Sequence, residues 1–382
     1  MKVGLISSAY PPDLDGIGDY TWWMAKTLAV HRDVEAPVVV FTRNGSGHKA
    51  SPGVEVSPFF DAEHPQTFST LPKTLEGRHL DWLVLQYNPF GWGRRGYCPR
   101  VPATLRKLQR IHGGLRLAVM FHETTVPLWP WKFTVMMMWQ WPIFRSVCRT
   151  VDVAFVSTSR WTPPVKRVAP QLPVHRLPAG SNIPLCEISR AEARRKTGID
   201  ADALVLGVFG AAHVSRRLDW VAATVAEAGR RRPGKRTILL YVGADGKEIR
   251  RLCPDADLID AGPLPAEEVG IHLRAMDAVL SPFTDGMSTR RTSVISVLHL
   301  GIPVATTRTG WTDDVFLSDA PDLLLLSPAG SPEAFAAETA AWLDGLPPEG
   351  PPYSELTDFY DRHFSWQGIT GTMLRHLSHA EN

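Results

Sequence analysis

The sequence predicts an α/β protein of two doubly wound parallel-sheet domains, and three observations carry that expectation. Short, continuous aliphatic runs alternate with amphipathic segments along the chain, the pattern of strands buried on both faces beneath helices. The alternation occurs twice, on either side of a charged break near residues 181–200. The 382-residue length exceeds that of an ordinary single domain.

In the first half the aliphatic runs are residues 3–6, 37–41, 82–85, 115–121 and 151–156. In the second half they are residues 204–209, 238–242, 258–261, 278–280, 303–306 and 323–326. Helical periodicity between them is clearest at residues 218–228, 265–274 and 293–300. The predicted organisation is a first domain over 1–182, a second over 183–364, and a C-terminal helix in 365–382 that returns to the first domain. The proline-rich segment GLPPEGPPYSE precedes that helix, which spans roughly residues 365–376. Two such domains are expected to face a central cleft at the carboxyl ends of both sheets, where ligands bind in folds of this class.

Composition narrows the function. A hydrophobic share of 44% with 21% charged residues is that of a soluble globular enzyme. A formal charge of +2 argues against a dedicated nucleic-acid binder. Four scattered cysteines show no metal-ligand spacing and suit a reducing compartment. The opening MKVGLISSAYPP reads as a first strand rather than a signal peptide, and no apolar run could span a bilayer. A cytoplasmic protein is expected.

The segment SPFTDGMSTRRTSVISVLHLGIPVATT, residues 281–307, reads as strand, glycine turn, helix and strand. Gly286 permits a sharp turn, after which Ser288, Thr289, Arg290, Arg291, Thr292 and Ser293 crowd a helix start. Unpaired N–H groups and the positive end of the dipole attract anions there, and two arginines suit a diphosphate. An ordinary helix capped by Ser288 or Thr289 is the other reading. Residues 204–220, LVLGVFGAAHVSRRLDW, place Arg216 and Arg217 before a helix whose dipole disfavours cations unless an anion is held; solvated arginines at a helix start are the other reading.

Three further segments stand out. After the first strand, Gly16, Ile17, Gly18 and Asp19 form a glycine loop opening a helix; it is either a ligand approach or a structural turn. LAVMFHETT puts His122 and Glu123 at the end of a buried strand, where His122 either meets a ligand near neutral pH or bonds to a loop carbonyl. WPWKFTVMMMWQWPIF, residues 129–144, is core, domain interface, greasy acceptor groove or a peripheral membrane contact aided by Lys132 and Arg145. Pro130 and Pro142 are expected to limit any helix there to about a dozen residues.

Taken together, AYPPDLDGIGDYTWWMAKTLA, FHETT, VSTS, LPAGSNIP, VFGAAHVSRRLDW and the 281–307 segment, in this order along the chain, resemble the family 4 glycosyltransferases. The resemblance implies the GT-B fold and a retaining hexosyl transfer from a nucleotide diphosphate sugar. The acceptor would be a glycan, a lipid-linked sugar or a small molecule, with no cofactor and no essential metal. It places Arg216 on the donor diphosphate, helped by Arg217. Gly286, Met287, Ser288, Arg290, Arg291, Thr292 and Ser293 would cradle phosphates and donor sugar. His122 would lie beside the transferred sugar with Glu123 next to it. Gly16, Ile17, Gly18 and Asp19 would sit under the diphosphate or acceptor. Asp285 stands for the first of two glutamates the family often carries; the second position falls at Ser293 or Ser296, and neither is acidic. Ala211 stands where an arginine is often found. A nucleotide-sugar epimerase of the same fold and a catalytically inactive sugar-nucleotide-binding scaffold are the alternatives.

Overall fold

The computed structural model describes residues 1–13, 15–61, 63–126 and 131–380, apart from the side chain of Lys132. Leu14 of the first glycine loop, and Trp129 and Pro130 of the aromatic stretch, lie outside the described residues. The chain divides into two compact units, one of residues 1–178 with 366–382, the other of residues 179–365.

The first unit is built on a seven-stranded parallel sheet. Its strands are β1 (Val3–Ile6), β2 (Val38–Arg43), β3 (Val54–Phe60), β4 (Trp82–Tyr87), β5 (Arg116–Phe121), β6 (Val153–Val156) and β7 (Val174–Arg176). The order is β3-β2-β1-β4-β5-β6-β7. β1 and β4 are buried along their whole length, as their all-apolar runs require when helices cover both faces. The Trp366–His379 helix belongs to this unit and lays Ile369, Met373, Leu374 and Leu377 into its core.

The second unit carries a six-stranded parallel sheet of β8 (Leu204–Phe209), β9 (Thr237–Val242), β10 (Asp257–Asp260), β11 (Ala278–Ser281), β12 (Val304–Thr307) and β13 (Leu324–Ser327). Its order is β10-β9-β8-β11-β12-β13. The doubly wound parallel α/β architecture expected from the sequence is thus the one found. Strand order reverses between β1 and β4 in one sheet and between β8 and β11 in the other. In sheets of this kind ligands bind at such a reversal, outside the carboxyl ends of the strands.

Three local expectations need correction. β3 and β7 were not expected: both are edge strands, half exposed, with charged residues and Pro58 breaking the aliphatic run. β6 starts at Val153 rather than 151, because Asp152 accepts the Leu117 N–H ahead of the ladder (2.8 Å). The aromatic stretch forms an 18-residue helix, Trp131–Cys148, that runs through Pro142. Proline removes a single helical hydrogen bond, and the turns beyond it are held by Phe144, Val147 and Cys148 in the core. Among the described residues, no helix is long and apolar enough to cross a membrane.

Candidate functional site

In the second unit, the loops after β8 and β11 meet at the reversal of strand order. β8 ends on Phe209, and Gly210 follows with φ of +93°. A Cβ at Gly210 would stand 3.3 Å from a terminal nitrogen of Arg216 and 3.4 Å from Ser293. Glycine therefore makes room for the Arg216 guanidinium. Its Nη2 donates to the Phe209 carbonyl (2.6 Å) and to Ser293 Oγ (2.9 Å), and Nη1 reaches Ser281 Oγ at 3.5 Å. The group lies over the Phe283 ring at 5.3 Å. Among the described residues Arg216 forms no ion pair, and burial pushes its pKa down to about 10. A desolvated cation held only by neutral groups is one whose charged form an anion would stabilise.

Arg291 covers Phe283 at 3.9 Å and donates to Ser215 Oγ (3.1 Å) and to Asp285. Its Nε is buried and has no hydrogen-bond partner among the described residues. Burial lowers its pKa to about 10, against the opposing pull of Asp285. Arg290 pairs with the other Asp285 oxygen at 3.0 Å. Asp285 thus pairs with both arginines of the turn, one negative charge against two positive. Gly286, with φ of +75°, turns the chain where a Cβ would come within 2.6 Å of Thr312 Oγ1 and 2.7 Å of Thr309 Oγ1.

The remaining expected residues of this unit divide. Met287 is fully buried and its N–H bonds to the Thr307 carbonyl (3.0 Å), so it packs rather than presents a polar group. Ser288 Oγ is buried and has no hydrogen-bond partner among the described residues. Thr289 gives its N–H and hydroxyl to Asp313 (2.8 and 2.9 Å), which fixes the turn. The helix Thr292–His299 begins with neither Ser288 nor Thr289 as its cap: Arg291 occupies that position, without a side-chain cap bond. Thr292 opens the helix and Ser293 faces Arg216. Ser296 is buried instead against Ser181 and Asn182. Arg217 lies apart from the cluster, pairing with Asp219 at 3.4 Å and stacking over Trp220 at 4.5 Å.

Sequence reasoning passed over the groups that brace this loop pair. Tyr241 donates to the Gly210 carbonyl (3.1 Å), and Asp245 accepts the Ala212 N–H (2.7 Å). Phe283, Thr309, Thr312 and Asp313 were also unmarked. Tyr241, Asp245, Thr309 and Asp313 reach partners more than twenty residues away in sequence, so no short motif pairs them.

In the first unit, Asp15 caps the Gly16–Leu28 helix by accepting the N–H groups of Ile17 and Gly18, both at 2.9 Å. A Cβ on Gly18 would approach the Ala9 and Tyr10 backbone at 3.2 Å, so this glycine is needed for loop-on-helix packing; Gly16 faces open space. Asp19 sits in the first turn, bonded through its N–H to the Asp15 carbonyl. His122 follows β5, with Nε2 2.9 Å from Gln86 Oε1 and its ring edge-on to Tyr20 at 4.8 Å. Its carbonyl accepts from Ser157 Oγ and Trp161 Nε1, both at 3.2 Å. Burial pushes the imidazole pKa down to about 3. His122 is therefore neutral at physiological pH and offers a hydrogen bond rather than a positive charge. Glu123 continues the same loop, partly buried. Among the described residues, no group of three or more His, Cys, Asp or Glu could hold a metal ion.

No family model and no curated protein matches the chain. Solved structures do resemble it. Sucrose-phosphate synthase from Thermosynechococcus elongatus aligns with a TM-score of 0.70 at 16% identity, covering 100% of both chains. The N-terminal domain of Candida albicans trehalose-6-phosphate phosphatase aligns at 0.71 with 10% identity, over 100% of this chain and 97% of that one. HepE of Anabaena, solved in complex with UDP-glucose, aligns at 0.66 with 12% identity, over 99% of each. Identities this low establish the fold alone, and that fold is GT-B.

Proposed function

We propose that this protein is a retaining glycosyltransferase that moves a sugar from a nucleotide diphosphate sugar to a glycan, lipid-linked or small-molecule acceptor without a metal. The observation that carries the reading is Arg216, a largely desolvated, half-buried guanidinium that has no carboxylate partner among the described residues, at the strand-order reversal of the second sheet. That is where a doubly wound sheet binds nucleotides, and a diphosphate is the anion that fits two nearby guanidinium groups and a helix start. HepE, with a similar fold, was solved with UDP-glucose, which supports a nucleotide sugar as donor.

In the proposed reaction the bond from the anomeric carbon to the β-phosphate oxygen breaks while the acceptor oxygen bonds on the same face. The acceptor proton passes to the departing phosphate oxygen. Arg216, with Arg291 and the N–H groups of the helix start, stabilises the charge that develops on that phosphate. His122, being neutral, would hydrogen-bond the transferred sugar. One observation favours a second reading, a binding protein without turnover. Of the two positions where the resembled family often carries its second glutamate, Ser293 is bonded to Arg216 and Ser296 to Ser181 and Asn182, and neither is acidic.

Thermal-shift measurements with UDP, GDP, ADP, dTDP and CMP test the donor site. The matching diphosphate at ~100 times its Kd should raise Tm by roughly 5 °C. Arg216→Met should abolish that shift without lowering the Tm of the unliganded protein, because removing a desolvated cation that lacks a carboxylate partner among the described residues relieves desolvation. A shift that survives in Arg216→Met would refute the site. Binding without hydrolysis or transfer would select the second reading.

A further inference from the structure

Residues 82–185 hold 14 of the 41 lysines and arginines but only two of the 39 acids, Glu123 and Asp152. The stretch carries a formal +12 while the rest of the chain carries −10. The overall charge of +2 conceals this division.

The charge collects around the Trp131–Cys148 helix. Trp131, Val135 and Met138 project at four- and three-residue spacing along one face and are 73%, 42% and 76% exposed. Pro142, Arg145 and Arg149 continue the same exposed face. On its flank, Trp139 Nε1 donates to the Arg95 carbonyl (3.0 Å), and the Tyr97 ring meets Trp139 edge-on at 6.4 Å. This contact brings exposed Arg94, Arg95 and Tyr97 beside the apolar ridge. The Arg100–Ile111 helix packs alongside, with Arg106 bonded to Ser146 Oγ, and exposes Lys107 and Arg110. Of the two acids, Asp152 is held by the Leu117 N–H at the start of β5.

We propose that this face docks on an anionic lipid surface, the Trp131–Val135–Met138 ridge entering the headgroup layer while the surrounding arginines and lysines meet lipid phosphates. Basic residues alone would fit any polyanion. An exposed tryptophan and aliphatic ridge set among basic residues matches an anionic lipid surface, which offers an apolar layer beneath its phosphates. The proposal stands on the first unit by itself and does not depend on the transfer reading.

Co-sedimentation of the full chain with vesicles at ~0.1 M salt tests it. Binding is expected to vesicles containing phosphatidylglycerol and not to pure phosphatidylcholine. Trp131→Ser/Met138→Ser and Arg110→Glu/Arg145→Glu should each weaken binding at least ~10-fold, with unchanged Tm because all four positions are exposed. Equal binding to both vesicle types would overturn the proposal. So would binding unaffected by the ridge variant, or retention of the chain by a soluble polyanion such as heparin but not by anionic vesicles.

Discussion

At the scale of single residues, the site is defined by charges whose surroundings contradict their exposed reference states. Arg216 is kept cationic by a carbonyl, two hydroxyls and a ring face, none of which carries charge. His122 shows the opposite outcome of the same burial: with a folded pKa near 3 it sheds its proton far below the usual value for histidine. The unfolded chain binds that proton below about pH 6.5, the native chain only near 3, so stability should rise with pH across that window. Acidification from 6.5 towards 3 therefore costs up to about 1.4 kcal/mol per pH unit from this group alone. Denaturant unfolding of His122→Gln should show a shallower loss of stability over that range than wild type. A slope identical to that of wild type would mean that the imidazole is not desolvated.

At the scale of elements, the 282–291 turn behaves as one assembly. Asp285 binds Arg290 and Arg291, its carbonyl accepts from Thr309 Oγ1 (2.9 Å), and Asp313 ties down Thr289. Asp285→Asn would remove the carboxylate that Arg290 and Arg291 share. It is expected to lower unfolding stability by about 1–3 kcal/mol. Added inorganic phosphate should restore more of the loss than equal ionic strength of chloride, and equal recovery in both salts would count against an anion site. This element also marks the limit of sequence legibility. Gly286, Arg290, Arg291 and Ser293 could be flagged because turn glycines, helix starts and cations sit together in one segment. That Asp285 is their internal counter-ion, and that Met287 points inward, depends on side-chain directions set by β12. The strands divide on the same ground: the buried β1, β4, β8 and β9 announce themselves as aliphatic runs, whereas the edge strands β3 and β7 carry the polar residues of solvent-facing surface and do not.

At the scale of the whole molecule, the two units differ in how the chain supplies them. The second is continuous from Ala179 to Ser365, but the first is completed only by residues 366–382. Trp366 is buried there, stacked on Trp23 (6.3 Å) and edge-on to Tyr20 (5.0 Å), the ring that in turn meets His122. The last helix is thus part of the support of the first unit's candidate residue, although more than two hundred positions separate them. Trp366→Ala removes a buried aromatic side chain, a change that costs about 3–5 kcal/mol. Hydrogen exchange should localise that loss to β1, β4 and β5, where amide protection reports the stability of the unit that contains them. Amides of β8, β9 and β11 should keep their wild-type protection, and the nucleotide-induced thermal shift assigned to Arg216 should remain. If protection fell equally in both sheets, the chain would unfold as one cooperative body and the division into two independently stable units would be wrong.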